Sequence, residues 1–401
     1  MSVLAEPSRT PMVDDNPLQL LSVPSATARS SVIRDLLEHA KRPGMISLAG
    51  GIPDPDLFPV EAIGAAVERC LAAGPDVLQY GLTPGEPAAR AALATVLGRS
   101  VDIERVVVTT GSQQGLDLVV KAVVDPGDEV VVGDPSYLGA LQAFRAGRAS
   151  LTALPVDEAG LVVEALEERL IGGARPPKLV YVVVNFDNPT GATLSAPRRA
   201  LLVDLAERFG FVVVEDDPYG ALRYDGVAPP PLGEGSEHVV RMRSTSKVLA
   251  PGLRIGWLEG PSWLVHAAVI AKQSTDLHTS TLSQAVVADL LGDGAWFDSH
   301  VATVCHRYRE RRNALCDAID EELGGAVSYV RPEGGMFVWG SMAGVDTDEL
   351  LVRALDAGVA FVPGSAFAVG DDGPGTLRLS FATAAPEQLV EGCRRLRSAL
   401  A

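Results

Sequence analysis

Cysteine and histidine are scarce in this chain, which limits the kinds of site that it could hold. The 401 residues include four cysteines and six histidines. The cysteines form no CxxC pair, and no HExxH motif contains the histidines. This scatter argues against a disulfide scaffold or a metal site and is typical of a protein with reduced thiols. We therefore expect a cytoplasmic protein with no metal.

Basic residues are also few in relation to acidic ones. Lysine and arginine together number 34, against 51 aspartates and glutamates, so the formal net charge is −17. Because an acidic chain repels a phosphate backbone, nucleic acid is not expected as a partner. The short segment Arg243–Trp257, RSTSKVLAPGLRIGW, stands out against this background because it holds Ser244, Ser246, Lys247 and Arg254 close together.

Long apolar segments are missing as well. No apolar run approaches the roughly 18 residues that span a bilayer, so no membrane partner is expected. The first residues, MSVLAEPSRTPMVDDNPLQ, lack the charged start and apolar centre of a signal peptide. The composition, 47% hydrophobic and 21% charged, is that of a globular protein, and the length predicts about two domains.

The order of patterns along the chain suggests where those domains lie. Residues 1–45 are expected to form an arm that starts flexible, continues as the amphipathic helix Ser30–Ala40 and packs on the small domain. Residues 46–295 are predicted to form the large domain. Residues 296–401 are predicted to form a smaller α+β domain that begins with a long helix, about Trp296–Leu323.

The large domain alternates runs of β-branched residues with segments of helical length. The runs are RVVVTTG, DEVVVGDPSY, KLVYVVVNFDNPTG, FVVVEDDPYG and HVVRMRSTSK. Near-continuous valine runs indicate strands that are buried on both faces. The sequence therefore predicts an α/β fold with a mostly parallel sheet flanked by helices.

Each of these strands ends in a polar cluster that favours a turn. The clusters are Gly111-Ser112-Gln113, Asp134-Pro135-Ser136-Tyr137, Asn188-Pro189-Thr190-Gly191, Asp216-Asp217-Pro218-Tyr219 and Ser244-Thr245-Ser246-Lys247. In an open parallel sheet such clusters meet at the carboxyl edge, where ligands bind. We therefore expect one site built from all five.

The chemical groups in these clusters indicate a particular kind of ligand. Lys247 offers an amine for covalent attachment, and the hydroxyl groups with Arg254 suit a phosphate. A carboxylate, an amide and two tyrosines complete the set. A phosphorylated aromatic aldehyde with a ring nitrogen fits all of these groups, whereas a nucleotide does not need the lysine.

From about Ser30 to its C-terminus, the chain resembles the fold type I pyridoxal-phosphate (PLP) enzymes of the class I/II aminotransferase group. It is most similar to the branch with the aminoadipate/kynurenine-type and valine-type enzymes. The motifs that carry the resemblance are SLAGGIPDPDLFP, LQYGLTPGEPAAR, GSQQGLDLV, NPTG, EDDPYG, SxSKxLxPGLRIGW and LRLSF. The resemblance implies a seven-stranded type of sheet, PLP as cofactor, and amino transfer between an L-amino acid and a 2-oxo acid by ping-pong half-reactions.

The resemblance also implies roles for single residues. Lys247 matches the Schiff-base lysine, which also moves the proton. Asp216 matches the carboxylate that pairs with the pyridine nitrogen, since the spacing Asp-x-x-Tyr selects it together with Tyr219. Its neighbours Glu215 and Asp217 are expected to point elsewhere on an extended chain. Asn188 and Tyr219 match the donors to the phenolic oxygen of the cofactor.

Further matches concern the phosphate and the ring of the cofactor. Tyr137 matches the aromatic residue that stacks on the ring. The phosphate is expected to bind where backbone N–H groups open a helix, a favourable place for an anion. The side chains implied at the phosphate are Ser112, Gln113, Ser244, Ser246 and Arg254. Tyr80 matches a tyrosine that reaches the phosphate from the neighbouring subunit, which implies a homodimer with shared active sites; a buried structural tyrosine is the competing interpretation.

Substrate contacts are implied at four positions. Arg378 matches the arginine that binds the substrate α-carboxylate, and Gly51 lies where the backbone approaches that carboxylate. Asn188 is expected to contact the substrate too. Arg34 could be a second arginine for an acidic side chain, but a solvated charge on the helix is the favoured interpretation.

Two other functions stay open. The same groups could serve another PLP reaction, such as elimination or replacement, racemisation, decarboxylation or cyclisation, because they only create and stabilise the carbanion. A PLP domain can also be the effector sensor of a transcription regulator, but the short, non-basic leader before residue 30 disfavours that interpretation. The sequence does not identify the amino donor, the acceptor or the pathway.

Overall fold

A computed structural model describes residues 20–22, 25–26, 42–96, 102–370 and 375–400. Contacts divide the chain into two units, Met1–Ser30 and Ser31–Ala401, and all features below belong to the second. The predicted helix Ser30–Ala40, with Arg34, lies outside the described residues. Its packing on the small domain and the boundaries at 45 and 295 remain predictions.

The strands of the described residues form three sheets. In chain order they are β1 (Ile46–Ser47), β2 (Val106–Thr109), β3 (Glu129–Asp134), β4 (Ser150–Asp157), β5 (Gly160–Leu161), β6 (Leu179–Val183), β7 (Val212–Asp216), β8 (Val239–Ser244), β9 (Gly256–Glu259), β10 (Ser328–Tyr329), β11 (Phe337–Ser341), β12 (Val359–Ala360), β13 (Val362–Pro363) and β14 (Thr376–Ser380). The largest sheet has the order β2-β9-β8-β7-β6-β3-β4-β5.

Most neighbours in the largest sheet run parallel. Strands β4, β3, β6, β7 and β8 are parallel, while β9 is antiparallel to both β2 and β8. In the described part of the chain the sheet thus has seven strands of at least four residues and a two-residue eighth, β5. The predicted α/β class with a mostly parallel sheet is confirmed.

Helices cover this sheet and build the C-terminal part. In chain order the α-helices of the described residues are α1 (Val60–Ala72), α2 (Pro87–Thr95), α3 (Ser112–Val123), α4 (Leu138–Ala146), α5 (Val163–Ile171), α6 (Ala196–Phe209), α7 (Ser262–Thr275), α8 (Thr281–Gly292), α9 (Gly294–Ala318), α10 (Thr347–Asp356) and α11 (Pro386–Leu400). A π-helical turn, Ile319–Leu323, continues α9, so the long helix predicted near residue 296 is observed. No helix in these described ranges is both long and apolar enough to cross a membrane.

Strand β6 illustrates why the valine runs became the centre of the sheet. Leu179, Tyr181 and Val183 belong to one buried cluster, and Val180 and Val182 belong to another. Because side chains alternate between the faces of a strand, both faces of β6 are covered. This two-sided burial is what a continuous apolar run predicts.

The smaller sheets lie in the C-terminal part, with one exception. Strands β10, β11, β14 and β13 form an antiparallel sheet in that order. The exception is β1, which comes from the start of the described chain and pairs in parallel with β12. Helix α9 packs on α11. This arrangement agrees with the predicted α+β character of the C-terminal part.

A buried ion pair holds the segment after β1 against α9. Asp54 is 3% exposed, and its carboxylate lies 2.7 Å from the guanidinium of Arg311, which is 7% exposed. The backbone N–H of Asp54 also donates to the Tyr308 hydroxyl at 3.0 Å. Breaking a buried pair leaves an uncompensated charge, which costs far more than the loss of an exposed pair.

We expect Arg311→Leu to lower the free energy of unfolding by about 3 kcal/mol, because the Asp54 carboxylate would stay buried without its partner. Chemical denaturation measures this change. The control is Arg69→Leu, which breaks a pair whose arginine side chain is 58% exposed and should have a much smaller effect. Similar losses in the two variants would contradict the assignment.

Candidate active site

A cavity of about 530 Å³ lies at the carboxyl edge of the largest sheet. Twelve of the fourteen residues named from the sequence line it, namely Gly51, Ser112, Gln113, Tyr137, Asn188, Asp216, Tyr219, Ser244, Ser246, Lys247, Arg254 and Arg378. Pro218, from one of the predicted clusters, also lines it, as do residues not given a role from the sequence, namely Ile52, Leu138, Gly139, Gln142, Val183 and Pro251. The expected convergence of the strand-end clusters therefore occurs.

Lys247 lies inside this cavity with its amine turned towards the loop after β1. Its Nζ donates to the carbonyl of Gly51 at 3.2 Å and lies 5.9 Å from the centre of the Tyr219 ring. Burial, reinforced by the positive charges of Arg378 and Arg254, lowers the pKa of Lys247 to about 8. A lysine that loses its proton this close to neutral pH is a competent nucleophile.

Asp216 ends strand β7 and is 4% exposed. Its Oδ2 accepts a hydrogen bond from the Tyr181 hydroxyl at 2.7 Å, whereas Oδ1 has no hydrogen-bond partner among the described residues. Burial raises the pKa of Asp216 to about 7, against the lowering effect of the Tyr181 hydrogen bond. A buried carboxylate oxygen without a partner suits a ligand that brings its own N–H donor.

The neighbouring acids of the EDD triplet contact other groups, as expected. Glu215 lies 3.0 Å from the guanidinium of Arg243, and Asp217 pairs with the same arginine. Asp217 also accepts from the backbone N–H of Gly220. Of the three acids, Asp216 is the one that lines the cavity.

Arg378 is 1% exposed and lies between two aromatic rings. Its guanidinium carbon is 4.2 Å from the centre of the Phe337 ring and 4.8 Å from that of Phe367. It donates to Asn188 Oδ1 at 2.7 Å and to the carbonyl of Ala49 at 2.8 Å. Burial lowers the pKa of Arg378 to about 10, so at neutral pH it presents a fixed positive charge to the cavity.

A group of donors lies at the end of the cavity near α3. Ser244 Oγ donates to Ser246 Oγ at 2.8 Å, and the Ser246 backbone N–H donates to Ser244 Oγ at 3.1 Å. Arg254, with a φ of +54°, donates to the carbonyl of Thr110 at 3.0 Å. Gly111 has a φ of +79° and lies against the Arg254 guanidinium, so a side chain there would collide. With the first residues of α3, these groups could hold an anion.

The aromatic side chains of the cavity stay protonated. Burial raises the pKa of Tyr137 and of Tyr219 above the ordinary tyrosine value. Each hydroxyl is therefore a donor at physiological pH. Tyr219 also packs edge-on against Phe337, with ring centres 5.9 Å apart.

Among the named residues that the structure describes, Tyr80 does not line the cavity. Tyr80 is 79% exposed, and its ring lies edge-on to His278 at 5.7 Å. Its exposure excludes the competing interpretation of a buried structural tyrosine in the single chain. Arg34 lies outside the described residues.

Tyr181 is a residue that sequence reasoning missed. It is the one hydroxyl-bearing side chain in the run LVYVVV, and inside an apolar strand it resembles a core residue. Its partner Asp216 lies 35 positions further along the chain and on the adjacent strand β7. The pairing of β6 with β7 is needed to see the contact.

The raised pKa of Asp216 has a consequence for the protein without a cofactor. Since its folded-state pKa lies above the unfolded value, Asp216 contributes stability at low pH that is lost as the pH rises from about 4 to about 7. Between pH 5 and pH 8, the ionisation of Asp216 should lower the free energy of unfolding of the unmodified protein by roughly 2 kcal/mol. We expect this part of the decrease to be absent in Asp216→Asn. Denaturation at both pH values measures it.

Tyr181→Phe is the matched variant for this prediction. It removes the hydrogen bond that lowers the pKa of Asp216, so the loss of stability should continue to higher pH than in the unmodified protein. An identical pH dependence in all three proteins would mean that Asp216 does not titrate as stated.

Comparison with known proteins gives the family. The model of the family "Aminotransferase class I and II" matches residues 43–396. The chain is 40% identical to aromatic-amino-acid aminotransferase 1 of Thermococcus litoralis, with 92% of this chain and 91% of that protein covered. It is 42% identical to the 2-aminoadipate transaminase of Thermus thermophilus, with 93% and 94% covered.

A solved structure agrees with these matches. The α-aminoadipate aminotransferase LysN from Thermus thermophilus, complexed with N-(5'-phosphopyridoxyl)-L-leucine, has a TM-score of 0.88 and 40% identity over 95% of this chain and 97% of that one. The phosphopyridoxyl group is the cofactor type that the cavity's amine, acid and anion-binding groups suit. The chain belongs to the class I and II aminotransferases and is a PLP-dependent aminotransferase of the aminoadipate/kynurenine branch.

Proposed function

We propose that Lys247 is the attachment point of PLP and the residue that moves the substrate proton. The chain has five lysines, and among those in the described residues Lys247 is the one that lines the cavity. Its burial and lowered pKa favour the neutral amine that attacks an aldehyde. The same amine, once released, would carry a proton between neighbouring carbon atoms of the substrate and cofactor.

The other ends of the cofactor fit the remaining groups. When bound, PLP serves as an electron sink that lets an amino group pass between an amino acid and a 2-oxo acid. Asp216 Oδ1 is free to accept from the ring N–H, and that positive charge would favour the ionised carboxylate. Because Asn188 Oδ1 already accepts from Arg378, the Asn188 amide N–H groups stay available to donate to the phenolic oxygen, together with Tyr219.

The phosphate would bind at the other end, between the start of α3 and the loop after β8. Ser112, Gln113, Ser244, Ser246 and Arg254 line this part of the cavity. Serine hydroxyls, backbone N–H groups and an arginine are the donors that phosphate prefers. Tyr137 lines the cavity as well and would stack on the ring.

The substrate is proposed to be an L-amino acid, and the acceptor a 2-oxo acid. Arg378 would bind the α-carboxylate, a group that both share, and its Nε has no hydrogen-bond partner among the described residues. Gly51 supports this placement, because a Cβ added there would lie 3.3 Å from the Phe337 ring and 3.8 Å from the Arg378 guanidinium. A larger residue at Gly51 would therefore narrow the space beside the arginine.

The cytoplasm is the proposed location. Cys70, Cys305, Cys316 and Cys393 are all described and all unpaired. Free thiols are the rule in a reducing compartment. This agrees with the expectation drawn from their spacing.

We expect Lys247→Ala to abolish the visible absorbance of the PLP-loaded protein and to lower the half-reaction rate roughly 10³-fold or more, because attachment and proton transfer are lost together. Borohydride reduction followed by peptide mass analysis should find the cofactor on Lys247 in the unmodified protein. Lys121→Ala, at an exposed lysine of α3, is the control and should label normally. Cofactor mass on another lysine would disprove the assignment.

We further propose a homodimer in which Tyr80 completes the neighbour's site. Tyr80 is accompanied by two other exposed apolar side chains, Leu78 at 65% and Leu82 at 53%. Tyr80, Gly81 and Leu82 help to line a second cavity, of about 600 Å³. Large apolar side chains exposed together are typical of a contact surface.

Mixing two inactive variants tests the shared site. A heterodimer of Lys247→Ala and Tyr80→Ala chains would contain one site with both lesions and one intact site, so about half of the unmodified activity per heterodimer should return. Each parent homodimer has a lesion in every site. If Tyr80 acted within its own chain, no site in the heterodimer would be intact, and activity would not rise on mixing.

A further inference from the structure

A second buried lysine lies behind the anion-binding end of the cavity. The side chain of Lys272, on α7, is 0% exposed. Its Nζ donates to Gln114 Oε1 at 2.8 Å, to Asp276 at 2.9 Å and to Thr279 Oγ1 at 3.0 Å. Lys272 does not line the cavity, so a direct contact with the cofactor is not its role.

The partners of Lys272 hold one peptide of the loop between β2 and α3. Gln114 Oε1 also accepts from the Thr110 backbone N–H at 2.7 Å, and Gln114 Nε2 donates to Asp276 Oδ2 at 2.7 Å. The Thr110 hydroxyl donates to the same Asp276 oxygen at 3.0 Å. Both the backbone and the side chain of Thr110 are thus fixed from the side of α7.

On its other side, Thr110 faces the anion-binding groups of the cavity. The Thr110 carbonyl accepts from Arg254 at 3.0 Å, and Gly111, the next residue, lies against the Arg254 guanidinium. Ser112 then begins α3. A small rotation of the Thr110 peptide would therefore redirect both Arg254 and the first N–H groups of α3, and anion binding at a helix start depends on their aim.

Stability alone is a weak explanation for this cluster. Burying an ammonium group is costly, and replacing a buried pair with apolar side chains is often neutral or stabilising. Lys272 nevertheless satisfies three different side chains at once. A fully bonded polar network of this kind fixes one geometry.

We propose that Lys272 is a positioning residue which, through Gln114 and Asp276, holds the Thr110–Ser112 loop in the geometry that binds the cofactor phosphate. The inference rests on the proposed PLP site. It predicts an effect on the phosphate end alone, since Lys247 and Asp216, at the other ends of the cofactor, do not contact the network.

The test compares PLP with pyridoxal, which has the same ring and aldehyde but no phosphate. In Lys272→Met, which keeps most of the length of the unbranched side chain but removes its donors, we expect the Kd for PLP to rise about tenfold or more, the size expected for a lost charge-assisted hydrogen bond. The Kd for pyridoxal should stay within about twofold. Absorbance titration of the cofactor-free dimer measures both.

Lys121→Met is the matched control. Lys121 also connects α3 with α7, by bonding to Asp117 and Thr275, but at an exposed position. It should leave both Kd values unchanged. Gln114→Met is the second variant in case Lys272→Met folds poorly, and it should reproduce the selective loss for PLP because it releases the Thr110 N–H.

The outcomes distinguish the proposed phosphate site from the proposed positioning role of Lys272. An unmodified protein that binds PLP no better than pyridoxal would overturn the proposed phosphate site itself. If the unmodified protein prefers PLP and the Lys272 and Gln114 variants keep the same preference, or lose both ligands equally, only the positioning role is wrong.

Discussion

The pairing of β9 with two strands at once sets the geometry on which the site depends. Gly256, the first residue of β9, pairs with Ser244 of β8 on one side and with Thr109 of β2 on the other. A Cβ at Gly256 would lie 2.7 Å from the carbonyl carbon of Gly111 and 2.8 Å from the nitrogen of Ser112. Only glycine allows this approach, so the β8–β9 loop and the start of α3 are held at a fixed separation.

That separation explains why one short segment contains so many of the useful groups. From Ser244, the last residue of β8, the chain leaves the sheet edge and returns to it at β9. Over this stretch it presents two serine hydroxyls, the amine of Lys247 and the guanidinium of Arg254 to the same cavity. Arg254 turns back through a left-handed conformation, which directs its side chain to Thr110. The sheet register therefore fixes the backbone positions from which the Lys247 amine and the anion-binding side chains extend.

The sequence was sufficient for the parts of the site that follow strand ends, because parallel strands bring their carboxyl ends to one edge whatever lies between them. The sequence did not predict side-chain contacts between residues of different strands and helices at that edge. In the sequence alone, Tyr181 resembles a core residue and Lys272 resembles a surface residue. The side chains to which they hydrogen-bond include ones from other strands or helices. Tyr80 is a different case, since its proposed role requires a second copy of the chain. The type of reaction came from the family, because the groups in the cavity would serve several reactions of the same carbanion.

Asp216 and the Thr110–Ser112 loop are alike in that each is held by side chains that do not line the cavity. Tyr181 occupies one oxygen of Asp216 and leaves the other, which is proposed to accept from the ring nitrogen, without a partner among the described residues. Lys272 and Gln114 fix the loop that is proposed to face the phosphate. The buried carboxylate of Asp216 is thereby satisfied on one side only. The side left free is the one that faces the cavity, so burial, which makes an unpaired group costly, becomes a reason for the ligand to bind there.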